Sequence, residues 1–160
     1  LSDIRILPYL EDLIPAVEEY YDYVHEGILP FDYEWYPAGF KDVAPRCENS
    51  NYTKNAGWIR TNDYDFTGII FLNEYQDKPP FDENFEVIGG KLEFPNHQFS
   101  FNPRRGTLVI FPGNQNFINH TSPVLHGELN QIRFQLVGET PYVYDRSKFN
   151  GTFKEWFINK

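Results

Sequence analysis

The sequence predicts a mainly β domain, a sandwich or barrel with one supporting helix at its N-terminus. Three observations point there. From Gly57 to Val137 short apolar segments alternate with clusters of Gly, Pro and Asn, and no helical period intervenes. Aromatic residues reach 18% of the chain, from 15 Phe, 11 Tyr and 3 Trp, a surplus that suits sheet packing better than a helical bundle. A sustained helical period appears once, near the start. At 160 residues the chain is most simply a single domain: 1–27 as helical support, 28–56 as an irregular cover, 57–138 as the strand core and 139–160 as a C-terminal extension.

The helix is expected over 7–24. Leu10, Leu13, Ile14, Val17, Tyr20, Tyr21 and Val24 recur at helical spacing, with Glu11, Asp12, Glu18 and Glu19 mostly on the other face. Pro15 predicts a kink or a later start, and Gly27 a stop. His25 falls where the free carbonyls of a last turn would engage it. The stretch 28–55 is dense in Pro, Gly, Asp and Tyr. It predicts a short strand near 31–35 and loop elsewhere, and so long an irregular segment reads as a functional lid or a packed cover.

Strands are expected at 57–62, 66–73, 85–94 (one or two), 98–101, 107–111, 117–121 and 132–137, each bounded by turn residues. The tail 142–160, with Phe149, Phe153, Trp156 and Phe157, reads as a strand or short helix folding back.

Charge and cysteine usage exclude several classes. A net charge of -9, with no basic run, repels phosphate backbones and argues against nucleic acid or an anionic membrane as a partner. Cys47 is the single cysteine, so neither an intrachain disulfide nor a cysteine-rich zinc site can form. That fits a reducing compartment, and a cytoplasmic location is the expectation. The longest apolar run, 68–72, is far too short to span a bilayer, and no signal peptide is visible. Three glycosylation sequons begin at Asn51, Asn119 and Asn150, the second inside an expected strand. The chain begins at Leu1 and contains no methionine, which reads as an excised or trimmed segment.

The chemistry-bearing residues lie in an ordered series. Thr67-Gly68-Ile69-Ile70-Phe71-Leu72-Asn73 is followed by Gly89-Gly90-Lys91-Leu92-Glu93-Phe94-Pro95 and by Pro103 to Pro112. His120 with Pro123-Val124 comes next, then Arg133. In this order and spacing the series resembles the double-stranded β-helix of Fe(II)/2-oxoglutarate-dependent dioxygenases, and within them the small prolyl-4-hydroxylase-like group found in bacteria and phages. The likeness covers Trp58 to Val137, half of the chain.

The resemblance implies a jelly-roll core, Fe(II) and 2-oxoglutarate as cofactors, and hydroxylation of a peptide or small molecule. The family holds iron with two histidines and a carboxylate, leaving positions for 2-oxoglutarate and oxygen. By that likeness His120 matches the second histidine, and Arg133 the basic residue that pairs with the far carboxylate of 2-oxoglutarate. Family members read His-Thr-Asp on the entry strand. This chain reads Arg60-Thr61-Asn62, so Arg60 stands in place of the first histidine and Asn62 in place of the carboxylate. A permanently charged guanidinium repels a divalent cation, and an amide adds no charge to hold one.

The expectation is therefore a dioxygenase-like protein whose iron-dependent activity is impaired or lost, with metal binding itself left open. Several alternatives stand beside it. His120 with Asn62, Asp63 or Asp65, and with a residue from the loop before Gly57, could form a non-standard metal site. Without a metal, His120 is a hydrogen-bonded core histidine. Arg60 and Arg133 could clamp a dicarboxylate without iron. Otherwise Arg60 is a surface residue on an edge strand, and Arg133 a buried partner of a carboxylate. A β-sandwich binding module, for carbohydrate among others, is the non-enzymatic reading. His97 and His126 read as surface residues.

Overall fold

Helix α1 spans Leu7–Tyr21 and buries Leu10, Ile14, Val17 and Tyr21, the spacing of one helical stripe. The structure, a computed structural model, describes residues 6–41, 44–80, 82 and 86–149. Pro8 lies in the first turn, where its missing N–H costs nothing, and the helix runs on through Pro15. The later start expected at Pro15 is thus corrected. So is the stop at Gly27. Asp22 ends the helix in the left-handed region (φ 52°), and the Tyr23 N–H closes onto the Glu18 carbonyl. A short polar side chain tolerates that conformation, which is why an aspartate could do what a glycine was expected to do. His25 does not cap helix carbonyls either. It opens β1 (His25–Ile28), and its Nδ1 lies 2.6 Å from Glu18 Oε1.

The remaining strands are β2 (Asp32–Pro37), β3 (Ser50–Thr53), β4 (Gly57–Arg60), β5 (Phe66–Phe71), β6 (Glu74–Tyr75), β7 (Glu86–Gly89), β8 (Leu92–Phe94), β9 (Phe99–Phe101), β10 (Leu108–Pro112), β11 (His120–Thr121) and β12 (Val124–Gly138). The larger sheet runs β10-β5-β12-β7-β6, with β1 and β2 also paired to β12. A second sheet runs β11-β8-β9, and β3 and β4 form a separate hairpin.

β12 is more than twice as long as the expected strand over 132–137, while the expected strand over 117–121 shrinks to the two residues of β11. The cause is a register shift between Val124 and His126 next to Gly127 (φ 72°). A bulge lets one strand continue through residues that read as a turn. One strand thus pairs with β7 near its start and with β2, β5 and β1 further on.

The larger sheet is covered on both faces, which explains why β5 is buried along nearly its whole length and carries Thr67 as its one polar side chain. Ile69, Phe71, Val109, Phe111 and Leu129 pack between the sheets with Leu92, Phe94 and Phe117. On the other face Phe66, Ile110, Phe134 and Leu136 pack under α1. Gly68 sits opposite Phe134 in the β5–β12 register, and a Cβ there would lie 2.2 Å from the Phe134 ring. The Gly89-Gly90 pair has a comparable reason. Both residues have positive φ, and a Cβ on Gly89 would lie 2.1 Å from the Pro123 carbonyl.

Tyr142, Tyr144 and Phe149 fold back beneath α1, with the Tyr21 and Phe149 rings 5.4 Å apart. Phe153, Trp156 and Phe157 lie outside the described residues.

Candidate functional site

Alternation along β12 aims Leu129, Gln131 and Arg133 at the space between the sheets, where all three are buried. The neighbouring strand β2 is registered so that Gln131 faces Glu34 and Leu129 faces Tyr36. Glu34 and Tyr36 therefore point inward, while Tyr33 and Trp35 point out and are about half exposed. Glu34 Oε2 accepts from Gln131 Nε2 at 2.6 Å, and Glu34 Oε1 accepts from Arg133 Nε at 3.0 Å.

The irregular cover supplies the rest. Arg46 makes a two-way main-chain bridge with Asn119, and the Asn49 N–H donates to the Gly113 carbonyl at 2.9 Å. Between them Glu48 turns inward. Its Oε1 accepts from Arg133 Nη1 at 2.7 Å and from Asn119 Nδ2 at 3.1 Å, and lies 3.4 Å from Arg46 Nε. Arg46 Nη2 is 3.8 Å from Glu34 Oε1, so two arginines and two glutamates form one network. The Glu48 carbonyl in turn accepts from Asn62 Nδ2 at 3.1 Å and from the Tyr64 hydroxyl. Burial alone works against the charge on Arg133. Glu48 and then Glu34 outweigh it and hold the guanidinium above its ordinary range. Burial, with Glu34 adding, pushes the Tyr36 hydroxyl up.

A cavity of about 40 Å³ opens beside this network, lined by Tyr36, Phe40, Arg46, Asn119, His120 and Arg133 among others. A space of that size holds a few waters at most. The pairing of β11 with β8 sets His120 opposite Glu93, and His120 Nε2 lies 3.0 Å from Glu93 Oε2.

His120 and Arg133 thus line one cavity. The residues of the entry strand go elsewhere. Arg60 Nη1 lies 2.7 Å from Asp65 Oδ1, and its Nη2 lies 3.3 Å from Asp63 Oδ1. Asp65 is almost fully buried and accepts from four donors: Arg60, the Tyr23 hydroxyl and the Gly138 and Tyr142 amides. Asp63 has a side chain 95% exposed. Arg60 and Arg133 have separate carboxylate partners. Among the described residues no group of three or more His, Cys, Asp or Glu side chains is placed to hold a metal ion.

Glu34, Arg46 and Glu48 are the site residues that the sequence reading passed over. The one available signal was the cover itself, an irregular segment carrying acids opposite a strand with a buried arginine. His97, expected at the surface, is half-buried with its ring stacked on Phe117 at 4.7 Å. His126 is exposed on β12, as expected.

No family model matches the sequence, and no curated protein does either. Solved structures do match. A viral collagen prolyl hydroxylase from Paramecium Bursaria Chlorella virus-1 aligns with TM-score 0.58 at 13% identity, over 84% of this chain and 67% of that one. A Pseudomonas putida prolyl-4-hydroxylase aligns with TM-score 0.57 at 16% identity, over 85% and 65%. The chain has the prolyl 4-hydroxylase fold. A Trichoplax adhaerens prolyl hydroxylase, solved in complex with a hypoxia inducible factor peptide fragment, aligns with TM-score 0.56 at 16% identity, over 83% and 56%. The chain thus spans between about half and two thirds of the length of these proteins. They belong to the 2-oxoglutarate/Fe(II) dioxygenase superfamily, and the jelly roll with its N-terminal helix is the architecture this chain was expected to adopt. A further structure of the viral enzyme is described as a 2OG complex. No helix among the described residues is long and apolar enough to cross a membrane.

Proposed function

We propose that this prolyl 4-hydroxylase-fold protein does not run iron-dependent hydroxylation and that its jelly roll serves to bind a peptide or small molecule. One observation supports the reading above others: Arg133, the residue that resemblance assigns to 2-oxoglutarate, already has its charge matched by Glu48 and Glu34 inside the protein. A guanidinium with two internal carboxylates has little to gain from a third.

The donor set does not fit Fe(II) either. Of the three family positions, His120 offers an imidazole beside Glu93, Arg60 offers a cation bound to Asp65, and Asn62 offers an amide that donates to the Glu48 carbonyl. His120 and Glu93 by themselves are two donors where the facial triad needs three. A peptide partner draws support from the Trichoplax complex.

The test is an anaerobic titration of purified protein with Fe(II) and 2-oxoglutarate, joined to elemental analysis of the protein as isolated. The expected result is no visible charge-transfer band and no stoichiometric iron. A band saturating at one equivalent overturns the proposal.

A further inference from the structure

Arg133 has two carboxylate partners of different origin. Glu34 belongs to β2 and is fixed by strand register, with Gln131 donating to its second oxygen. Glu48 belongs to no strand. It is carried by the cover, and its carbonyl accepts from the Asn62 side-chain amide and the Tyr64 hydroxyl. Its side chain reaches a point where Arg133 Nη1, Asn119 Nδ2 and Arg46 Nε converge on one oxygen at 2.7, 3.1 and 3.4 Å. Asn119 is 1% exposed and Arg133 4%. The two hydrogen-bond donors are therefore preset by the interior rather than gathered from the surface.

The third group, an ion-pair partner, is different. The Arg46 side chain is 50% exposed, and the cavity lined by Arg46, Asn119, His120 and Arg133 lies against the same spot. A half-exposed side chain and a small adjoining space are both present.

We infer that Arg133, Asn119 and Arg46 form a carboxylate-binding seat that Glu48 fills from within, and that the seat takes a small monocarboxylate when that side chain is shortened. The reasoning is stereochemical. A guanidinium and an amide that both donate to one oxygen, with a second guanidinium 3.4 Å away, select a carboxylate by direction as well as charge, whereas a spherical halide meets only the charge. The inference rests on the reading of Arg133 as internally neutralised. The two fail separately, because iron binding by the intact chain and anion uptake by a Glu48 variant are different measurements.

Glu48→Ala removes the internal occupant, and its thermal unfolding is compared in formate, acetate and chloride at equal ionic strength. Formate at ten times its Kd is expected to raise Tm by about 3–6 °C over chloride. The intact chain and Asp63→Ala, which removes an exposed acid, should show no formate-specific shift. Glu48→Gln, which refills the space, should show none either. Equal shifts in chloride and formate, or an equal formate shift in Glu48→Gln, overturn the inference. If Glu48→Ala does not fold in chloride, refolding yield from urea replaces Tm. Recovery in formate but not chloride supports the seat, and equal failure in both overturns it.

Discussion

Glu48 Oε1 lies 2.7 Å from Arg133 Nη1, and both side chains are only 5% exposed. A charge pair at that depth stabilises little compared with a well-packed apolar pair, but removing one member strands the other. Among the described residues, Arg133→Met leaves Glu34 and Glu48 with only the half-exposed Arg46 as a cationic partner. It is expected to cost about 3–5 kcal/mol in urea unfolding. Adding Glu48→Gln to Arg133→Met should cost less than the sum of the single changes by about 1–3 kcal/mol. Additive effects would show that the two residues are not coupled.

Asp65, which does not line the cavity, predicts a second loss. Its carboxylate accepts four hydrogen bonds and can donate none, a role only the ionised side chain fills. Burial, with Asp65 adding, pushes the Tyr23 hydroxyl up and keeps it a donor. Asp65→Asn turns an amide N–H toward those donors and should lower stability by about 2–3 kcal/mol. Tyr23→Phe removes one bond of the four and should cost about 0.5–1.5 kcal/mol. If the two variants lose equal stability in urea, the carboxylate is not the hub described.

That Arg60 and Asn62 offer neither an imidazole nor a carboxylate was legible from residue chemistry alone, since an arginine is not a metal ligand at any backbone position. Where those side chains go was not legible. Arg60 turns to Asp65, five residues on, through a bend that periodicity does not describe. Glu48 escaped notice because the cover lacks a repeating pattern, so nothing in the sequence says which of its side chains face inward. Glu34 could have been found, since the strand expected at 31–35 puts it on the face opposite Tyr33 and Trp35. Most of the strand core was readable from turn residues, but Gly127 made a bulge instead of a turn, and the short strands β3, in a stretch expected to be loop, and β6 were missed.

His97 gives a prediction about acid. Burial against Phe117 pushes its imidazole below the ordinary 6.5, and Arg146 adds to that, while the hydrogen bond to the Asn116 carbonyl opposes it. The unfolded chain therefore binds this proton more readily than the folded one. Its contribution to stability is intact above pH 6.5 and is lost as pH falls from there through the folded value. His97→Gln should flatten the Tm profile just below that point and leave the slope at higher pH unchanged. A profile that stays parallel to that of the intact chain would mean His97 does not set it.

The Thr67 hydroxyl is, among the described residues, the buried side-chain polar atom that has no hydrogen-bond partner. Thr67 is fully buried on β5, so its oxygen has left water without compensation. Thr67→Val keeps the branched shape that a strand favours and removes the oxygen. It should stabilise the protein by about 1 kcal/mol. The adjacent change, Gly68→Ala, should act in the opposite sense, because the new methyl would meet the Phe134 ring at 2.2 Å. An overpacked ring in a closed core costs about 1–3 kcal/mol. Measured side by side in urea, the two variants should move the unfolding midpoint in opposite directions. A loss of stability in Thr67→Val would show that the hydroxyl has a partner in solution.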